Sequence, residues 1–93
     1  MELGLKGKNV IVTGGGSNIG RAIALSFARE GSNVVIAELD EAQGQKVAAE
    51  AKGLGGRAIV VKTDVTKLDQ VEAMVKKTVD EFGRVDVLVD NVG

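Results

Sequence analysis

TGGGSNIG, residues 13–20, places four glycines between a short apolar run and a segment of helical periodicity. The run is residues 10–12, and Ile19, Ile23 and Phe27 share one face of the segment that follows. Glycine inside a regular element costs up to about 1 kcal/mol relative to alanine, so the cluster indicates that another group lies close to the backbone. A glycine turn leading into a helix also presents amides and the positive end of the helix dipole, which favour a phosphate-bearing ligand. A glycine turn without a ligand is the alternative.

Apolar runs rich in valine and isoleucine recur four times, separated by segments long enough for helices. They occupy residues 10–12, 34–37, 58–61 and 85–89. Weak alternation and β-branched residues are typical of strands buried on both faces. The pattern predicts the order β-α-β-α-β-α-β, an α/β fold with a parallel sheet and helices on both faces. The expected strand order is 3-2-1-4, with the ligand at the carboxyl ends of the strands, where the first and fourth diverge.

Residues typical of helix ends support this order of elements. Asp40 with Gln43, and Thr66 with Asp69, have the spacing of capping boxes. Glycines at positions 31 and 83, and the GLGG stretch at 53–56, stand where helices are expected to stop.

Composition excludes several classes of function. The chain has no cysteine and no histidine, which excludes disulfides, thiolate metal sites and imidazole chemistry. Twelve basic against thirteen acidic residues leave no basic stripe for nucleic acid. The amino terminus lacks the apolar core of a signal peptide, and runs such as 58–61 are too short to cross a bilayer, so we expect no membrane contact and a cytoplasmic location. Residues 1–93 are expected to form one continuous domain, since no linker or repeat interrupts them.

The spacing within the glycine loop distinguishes between known phosphate-binding loops. A Walker-type loop requires Lys and Ser or Thr after the last glycine, where this chain has Arg21 and Ala22. The plain G-x-G-x-x-G pattern also fails from every starting glycine. The pattern that remains is Thr13-Gly14, three residues, Asn18, Ile19, Gly20.

That pattern resembles the fingerprint T-G-x-x-x-G-x-G of the short-chain dehydrogenase/reductase family. Thr13, Gly14 and Gly20 match, and Asn18 replaces the middle glycine. We expect asparagine to be tolerated there because it adopts the left-handed conformation more readily than most residues, and its side chain can cap a helix. The resemblance implies a Rossmann-type sheet, with residues 1–93 as its N-terminal NAD-binding part.

The resemblance also implies the cofactor-binding residues. Glu38 ends the second strand eighteen positions after Gly20, near the spacing of a carboxylate that accepts the adenosine ribose hydroxyls. Asp64 would contact the adenine amino group, Val65 would lie along the adenine, and the stretch 90–93, DNVG, resembles the family's N-N-A-G beside the ribose. The full implied set is Gly14, Gly16, Ser17, Asn18, Ile19, Gly20, Glu38, Asp64, Val65, Asn91 and Gly93.

Each acidic or amide residue of this set also has a purely structural interpretation. Glu38 is alternatively a solvated strand-end charge. Asp64 alternatively caps the last helix or holds a turn ahead of Thr66, and Asn91 is alternatively a turn residue.

Glu38 bears on the choice between NAD and NADP. A carboxylate about 4 Å from a 2′-phosphate is repelled by about 4 kcal/mol per charge pair at an effective dielectric of about 20. In the family, NADP users often carry a basic residue before the middle glycine, where this chain has Ser17. Both signals favour NAD.

Catalysis in the family relies on a serine and on tyrosine and lysine in Y-x-x-x-K, and this chain contains no tyrosine. The expectation is therefore the NAD(H)-binding segment of an oxidoreductase, inactive alone. The complete enzyme would transfer hydride between nicotinamide and a small-molecule alcohol or carbonyl substrate. The apolar stretch at 85–90 would be an exposed sheet edge here, so we expect the isolated segment to self-associate or to be marginally stable. We also expect a homo-oligomer.

Two alternatives remain open. A non-catalytic nucleotide-binding module would use the same loop without chemistry. An S-adenosylmethionine-dependent methyltransferase also has a glycine loop and an acid ending its second strand, but its loop commonly has an acidic residue where Thr13 stands.

Overall fold

The computed structural model describes residues 4–91, in which four parallel strands form one sheet in the order β3-β2-β1-β4. The elements are β1 (Asn9–Thr13), α1 (Asn18–Arg29), β2 (Asn33–Glu38), α2 (Glu41–Lys52), β3 (Ala58–Lys62), α3 (Leu68–Phe82) and β4 (Val87–Val89). The predicted fold class, element order and strand order are all confirmed.

Helices cover both faces of the sheet, as predicted, because alternate residues of each strand point to opposite sides. One core lies between the sheet and the helices α1 and α2, and it includes Val10, Val12, Val34, Ile36, Ala24 and Val47. The other lies beneath α3 and includes Ile11, Val35, Ala37 and Met74. The central strands β1 and β2 are therefore buried on both sides, which explains their nearly continuous apolar sequence.

The fourth strand is shorter than predicted, since residues 85 and 86 precede it. The amide of Asp86 donates to the carbonyl of Asn9, and the Asp86 carboxylate accepts from the Asn9 amide at 2.8 Å. The Asn9 side chain donates to the carbonyls of Phe82 and Arg84. These bonds hold residues 83–86 as the connection from α3 to β4, in which the apolar Val85 packs against the α3 core.

The helix ends agree with only part of the prediction. Asp40 caps α2 by accepting from the Gln43 amide at 3.1 Å, and Gly83 ends α3 in the left-handed conformation. The predicted capping box of Thr66 and Asp69 is wrong, because the residue before α3 is Lys67 and no side chain caps that helix. Thr66 bonds to Asp64 instead.

None of the helices in the described part of the chain combines the length and the apolar character that a membrane span needs.

Candidate functional site

The glycine loop lies at the carboxyl ends of the strands and joins β1 to α1. Gly14 begins it with φ at 63°, a left-handed conformation that strongly favours glycine. The Gly14 amide donates to the carbonyl of Ala37 at 2.8 Å, which ties the start of the loop to β2. The loop is thus anchored directly on the neighbouring strand.

Ser17 caps the helix that follows. Its hydroxyl accepts from the Gly20 amide at 3.1 Å and donates to the Gly14 carbonyl at 2.8 Å. Asn18 is the first residue of α1, and every residue with positive φ among those described is glycine. Both roles expected for Asn18, a left-handed turn and a helix cap, are therefore wrong, because Ser17 already supplies the cap.

Two backbone amides at the start of α1 are open to a ligand. Within residues 4–91, the amides of Asn18 and Ile19 have no hydrogen-bond acceptor. They lie at the positive end of a 12-residue helix, where an anion is stabilised. The Ile19 side chain beside them is 69% exposed. An anionic group flanked by an apolar one matches this surface.

The other glycines of the loop are required by packing. A Cβ atom on Gly20 would overlap the carbonyl oxygen of Gly14, and one on Gly15 would lie 2.8 Å from an Ile36 methyl. One on Gly16 would lie 2.9 Å from the Glu38 carboxylate. The close approach anticipated from the glycine cluster is thus made, at these positions, by the protein's own atoms.

Glu38 faces the loop from the end of β2. Its Oε2 atom accepts from the Gly16 amide at 2.8 Å, and Oε1 accepts from the Asp40 amide at 3.3 Å. The alternative in which Glu38 is only a solvated strand-end charge does not describe this geometry. The carboxylate and the amides of the loop share one edge of the sheet.

A cleft of about 240 Å³ opens beside Glu38 at the ends of β2 and β3. Its lining comprises Gly14, Ala37, Glu38, Leu39, Thr63, Asp64, Val65 and Thr66. Leu39, whose side chain is 59% exposed, was not predicted as a site residue. An apolar residue directly after the acid that ends β2 was the available signal.

Asp64 lies in this cleft and also holds a turn, as one of its structural interpretations proposed. Its carboxylate accepts from the Thr66 hydroxyl at 2.6 Å and from the Thr66 amide at 3.0 Å. These two bonds, the hydroxyl bond first, lower the pKa of Asp64 below its ordinary value. The turn stabilises a negative charge in the lining of the cleft.

Asn91 connects the end of β4 to the loop. Its amide donates to the Thr13 hydroxyl at 2.9 Å, and its side-chain nitrogen donates to the Ser17 hydroxyl at 3.1 Å and to the Gly14 carbonyl at 3.3 Å. Thr13, which was not predicted as a site residue, therefore bridges β1 and β4. Gly93 lies outside the described residues.

The structure brings the predicted residues that it describes to one edge of the sheet. The loop lies at the end of β1, Glu38 at the end of β2, Asp64 and Val65 after β3, and Asn91 after β4. Parallel strands make this possible, because their carboxyl ends all meet at the same edge.

Known proteins share this architecture. A family model described as short chain dehydrogenase matches residues 8–93. The short chain dehydrogenase/reductase astE of Aspergillus oryzae is 45% identical over 91 residues, which are 97% of this chain and 35% of that protein.

Two solved structures extend the likeness to three dimensions. A hydroxysteroid dehydrogenase from Escherichia coli matches with a TM-score of 0.92 and 36% identity, covering 96% of this chain and 38% of its own. A 3-ketoacyl-(acyl-carrier-protein) reductase from Brucella melitensis, complexed with NADH, matches with a TM-score of 0.83 and 39% identity, covering 90% and 33%. This chain spans about a third of the length of these relatives.

Proposed function

The chain belongs to the short-chain dehydrogenase family, and on that premise we propose that residues 1–93 form the NAD(H)-binding part of an oxidoreductase. The observation that carries the proposal is the carboxylate of Glu38 facing a glycine loop that leads into two open helix amides. An acid and an anion site side by side match the sugar and the diphosphate of a dinucleotide.

Each part of the dinucleotide has a matching surface. The open amides of Asn18 and Ile19 bind the diphosphate, and Glu38 accepts the ribose hydroxyls. The adenine occupies the cleft between Leu39 and Val65, which Asp64 also lines. The exposed Ile19 side chain supplies an apolar contact toward the nicotinamide.

The proposed cofactor is NAD rather than NADP. A 2′-phosphate at the adenosine ribose would bring its charge onto the Glu38 carboxylate, at a cost of about 4 kcal/mol per charge pair at 4 Å and an effective dielectric of about 20. The neighbouring carboxylate of Asp64 adds to the same negative field. The Brucella relative crystallised with NADH is consistent with this choice.

The complete enzyme would transfer hydride between the nicotinamide and a small-molecule alcohol or carbonyl group, which is chemistry that the cofactor supplies when bound. Residues 1–93 contribute binding and orientation. They contain neither tyrosine nor histidine, and we assign none of them a proton-transfer role. A module that binds the nucleotide without catalysis is the second candidate.

Titration of the 93-residue chain with NADH, NADPH and S-adenosylmethionine tests the proposal. Ligand fluorescence and calorimetry should show NADH binding at least tenfold tighter than NADPH, with no response to S-adenosylmethionine. Binding of S-adenosylmethionine alone would identify a methyltransferase-like site. Equal affinity for NADH and NADPH would remove the role of Glu38 in cofactor choice.

Catalysis needs a test of its own. A longer chain of the same protein that oxidises alcohols with NAD would establish the enzyme, and one that binds NADH without any turnover would establish the binding module.

A further inference from the structure

We propose that Glu38 is also a positioning residue that sets the path of the glycine loop, so that removing its side chain weakens binding of NAD(H) and brings no gain in binding of NADP(H). The inference rests on the proposed function for the identity of the ligand. The effect of Glu38 on the loop path does not depend on the ligand, because it follows from hydrogen bonds within the chain.

The middle of the loop has one anchor. Gly14 is tied to Ala37, and Ser17 is tied to Gly14 and Asn91. Between those two ends, the bond from the Gly16 amide to Glu38 is the sole hydrogen bond in the part of the chain that the structure describes. At 2.8 Å and with a charged acceptor, it is of the stronger class of hydrogen bonds.

Glu38 connects the loop to the start of α2 as well. Its second oxygen accepts from the Asp40 amide, and Asp40 in turn caps α2 through the Gln43 amide. Gln43 also packs against the loop, since a Cβ atom on Gly16 would lie 3.1 Å from its Cγ. Loop and helix are therefore held in one arrangement by a single carboxylate.

The carboxylate has acceptor capacity left for a ligand. An ionised carboxylate offers about four lone-pair sites on its two oxygens. The amides of Gly16 and Asp40 use one site on each oxygen, which leaves one on each for the two ribose hydroxyls. Glu38 can hold the loop and the ribose at the same time.

Two substitutions separate the charge of Glu38 from its hydrogen bond to the loop. Glu38→Gln removes the charge but keeps an oxygen that accepts from Gly16, whereas Glu38→Ala removes both. We expect Glu38→Gln to bind NADPH about tenfold more tightly than the original chain, because the repulsion is relieved on an intact loop. Glu38→Ala should lose about tenfold in NADH affinity without gaining in NADPH affinity, since the loop is released.

Hydrogen exchange provides a readout that needs no ligand. In the ligand-free chain, NMR should find the Gly16 amide protected in the original and in Glu38→Gln, and at least tenfold faster in Glu38→Ala. The Gly14 amide, bonded to a backbone carbonyl, is the internal control and should keep its rate. A thermal melt of each variant shows whether the fold as a whole has changed.

The inference is overturned if Gly16 exchanges equally in all three chains, or if Glu38→Ala gains NADPH affinity as Glu38→Gln does. Failure of the original chain to bind NADH would instead contradict the proposed function. The exchange rates would still show whether Glu38 fixes the loop.

Discussion

The amide nitrogen of Asn91 lies 2.9 Å from the hydroxyl oxygen of Thr13, which joins residues 78 positions apart at the ends of β4 and β1. The same hydroxyl is within 3.3 Å of the Val89 carbonyl and 3.2 Å of the Asp90 carboxylate, to either of which it can donate. Thr13 is buried, and its side chain joins the carboxyl ends of β1 and β4 where the glycine loop begins.

Thr13→Val should destabilise the chain by about 1–2 kcal/mol, because the partly buried Asn91 amide then loses its acceptor. Thr13→Ser keeps the hydroxyl and should retain most of the stability. Urea denaturation followed by circular dichroism measures both. Equal unfolding free energies for the two variants would show that the hydroxyl bridge contributes nothing.

Gly20→Ala should displace the loop, because the added methyl overlaps the Gly14 carbonyl oxygen. We expect a loss of about 1–3 kcal/mol of stability, together with weaker NADH binding. Ser26→Ala, at an exposed position of the same helix, is the matched control and should change stability by about 0.5 kcal/mol or less. A Gly20→Ala chain as stable as this control would contradict the packing that the structure shows.

The titration of Asp64 should depend on the Thr66 hydroxyl. Its pKa is lowered in the folded chain, so the carboxylate contributes stability above its unfolded pKa of about 4 and loses that contribution as the pH falls through the folded value. Thr66→Val should raise the pKa of Asp64, and Thr66→Ser should leave it low. NMR titration of the Asp64 carboxyl carbon measures the shift; an unchanged value in Thr66→Val would assign the effect to the backbone bond alone.

The 93-residue chain should self-associate through β4. In the described chain this strand pairs with β1 alone, and the Leu88 side chain on its α3 face is 59% exposed. An exposed apolar edge strand favours pairing with another chain.

Leu88→Lys should shift the sedimentation profile toward monomer, because a charged side chain disfavours edge pairing. Gln45→Lys adds the same charge on α2, across the sheet, and should leave association unchanged. A monomer at every concentration of the original chain would refute the expectation.

Local sequence patterns were sufficient to predict the architecture. Runs of β-branched residues predicted four strands, and the rule of right-handed crossovers placed helices on both faces. The prediction failed where one residue pattern suits two structures. Val85 has the pattern of a strand residue but lies in the connection before β4. Thr66 has the pattern of a helix cap but bonds to Asp64, two residues before it.

In the site, too, a residue pattern that suits two structures led to a wrong prediction. Asn18 was the residue expected to cap α1, but serine is an equally good helix cap, and Ser17 takes that role. In the structure the Ser17 hydroxyl accepts from the Gly20 amide and also from the side chain of Asn91, which lies 74 positions away in the sequence.

The sequence by itself determined the order of strands and helices along the chain, the glycine loop after β1 and the acid at the end of β2, because periodicity and spacing are properties of neighbouring residues. The tertiary structure alone decided that Glu38 holds Gly16, that Thr13 bridges to Asn91 and that Leu39 lines the cleft. A hydrogen-bond partner or a cleft wall is selected by the elements that packing brings together, and the two cores bring together residues that the chain keeps far apart.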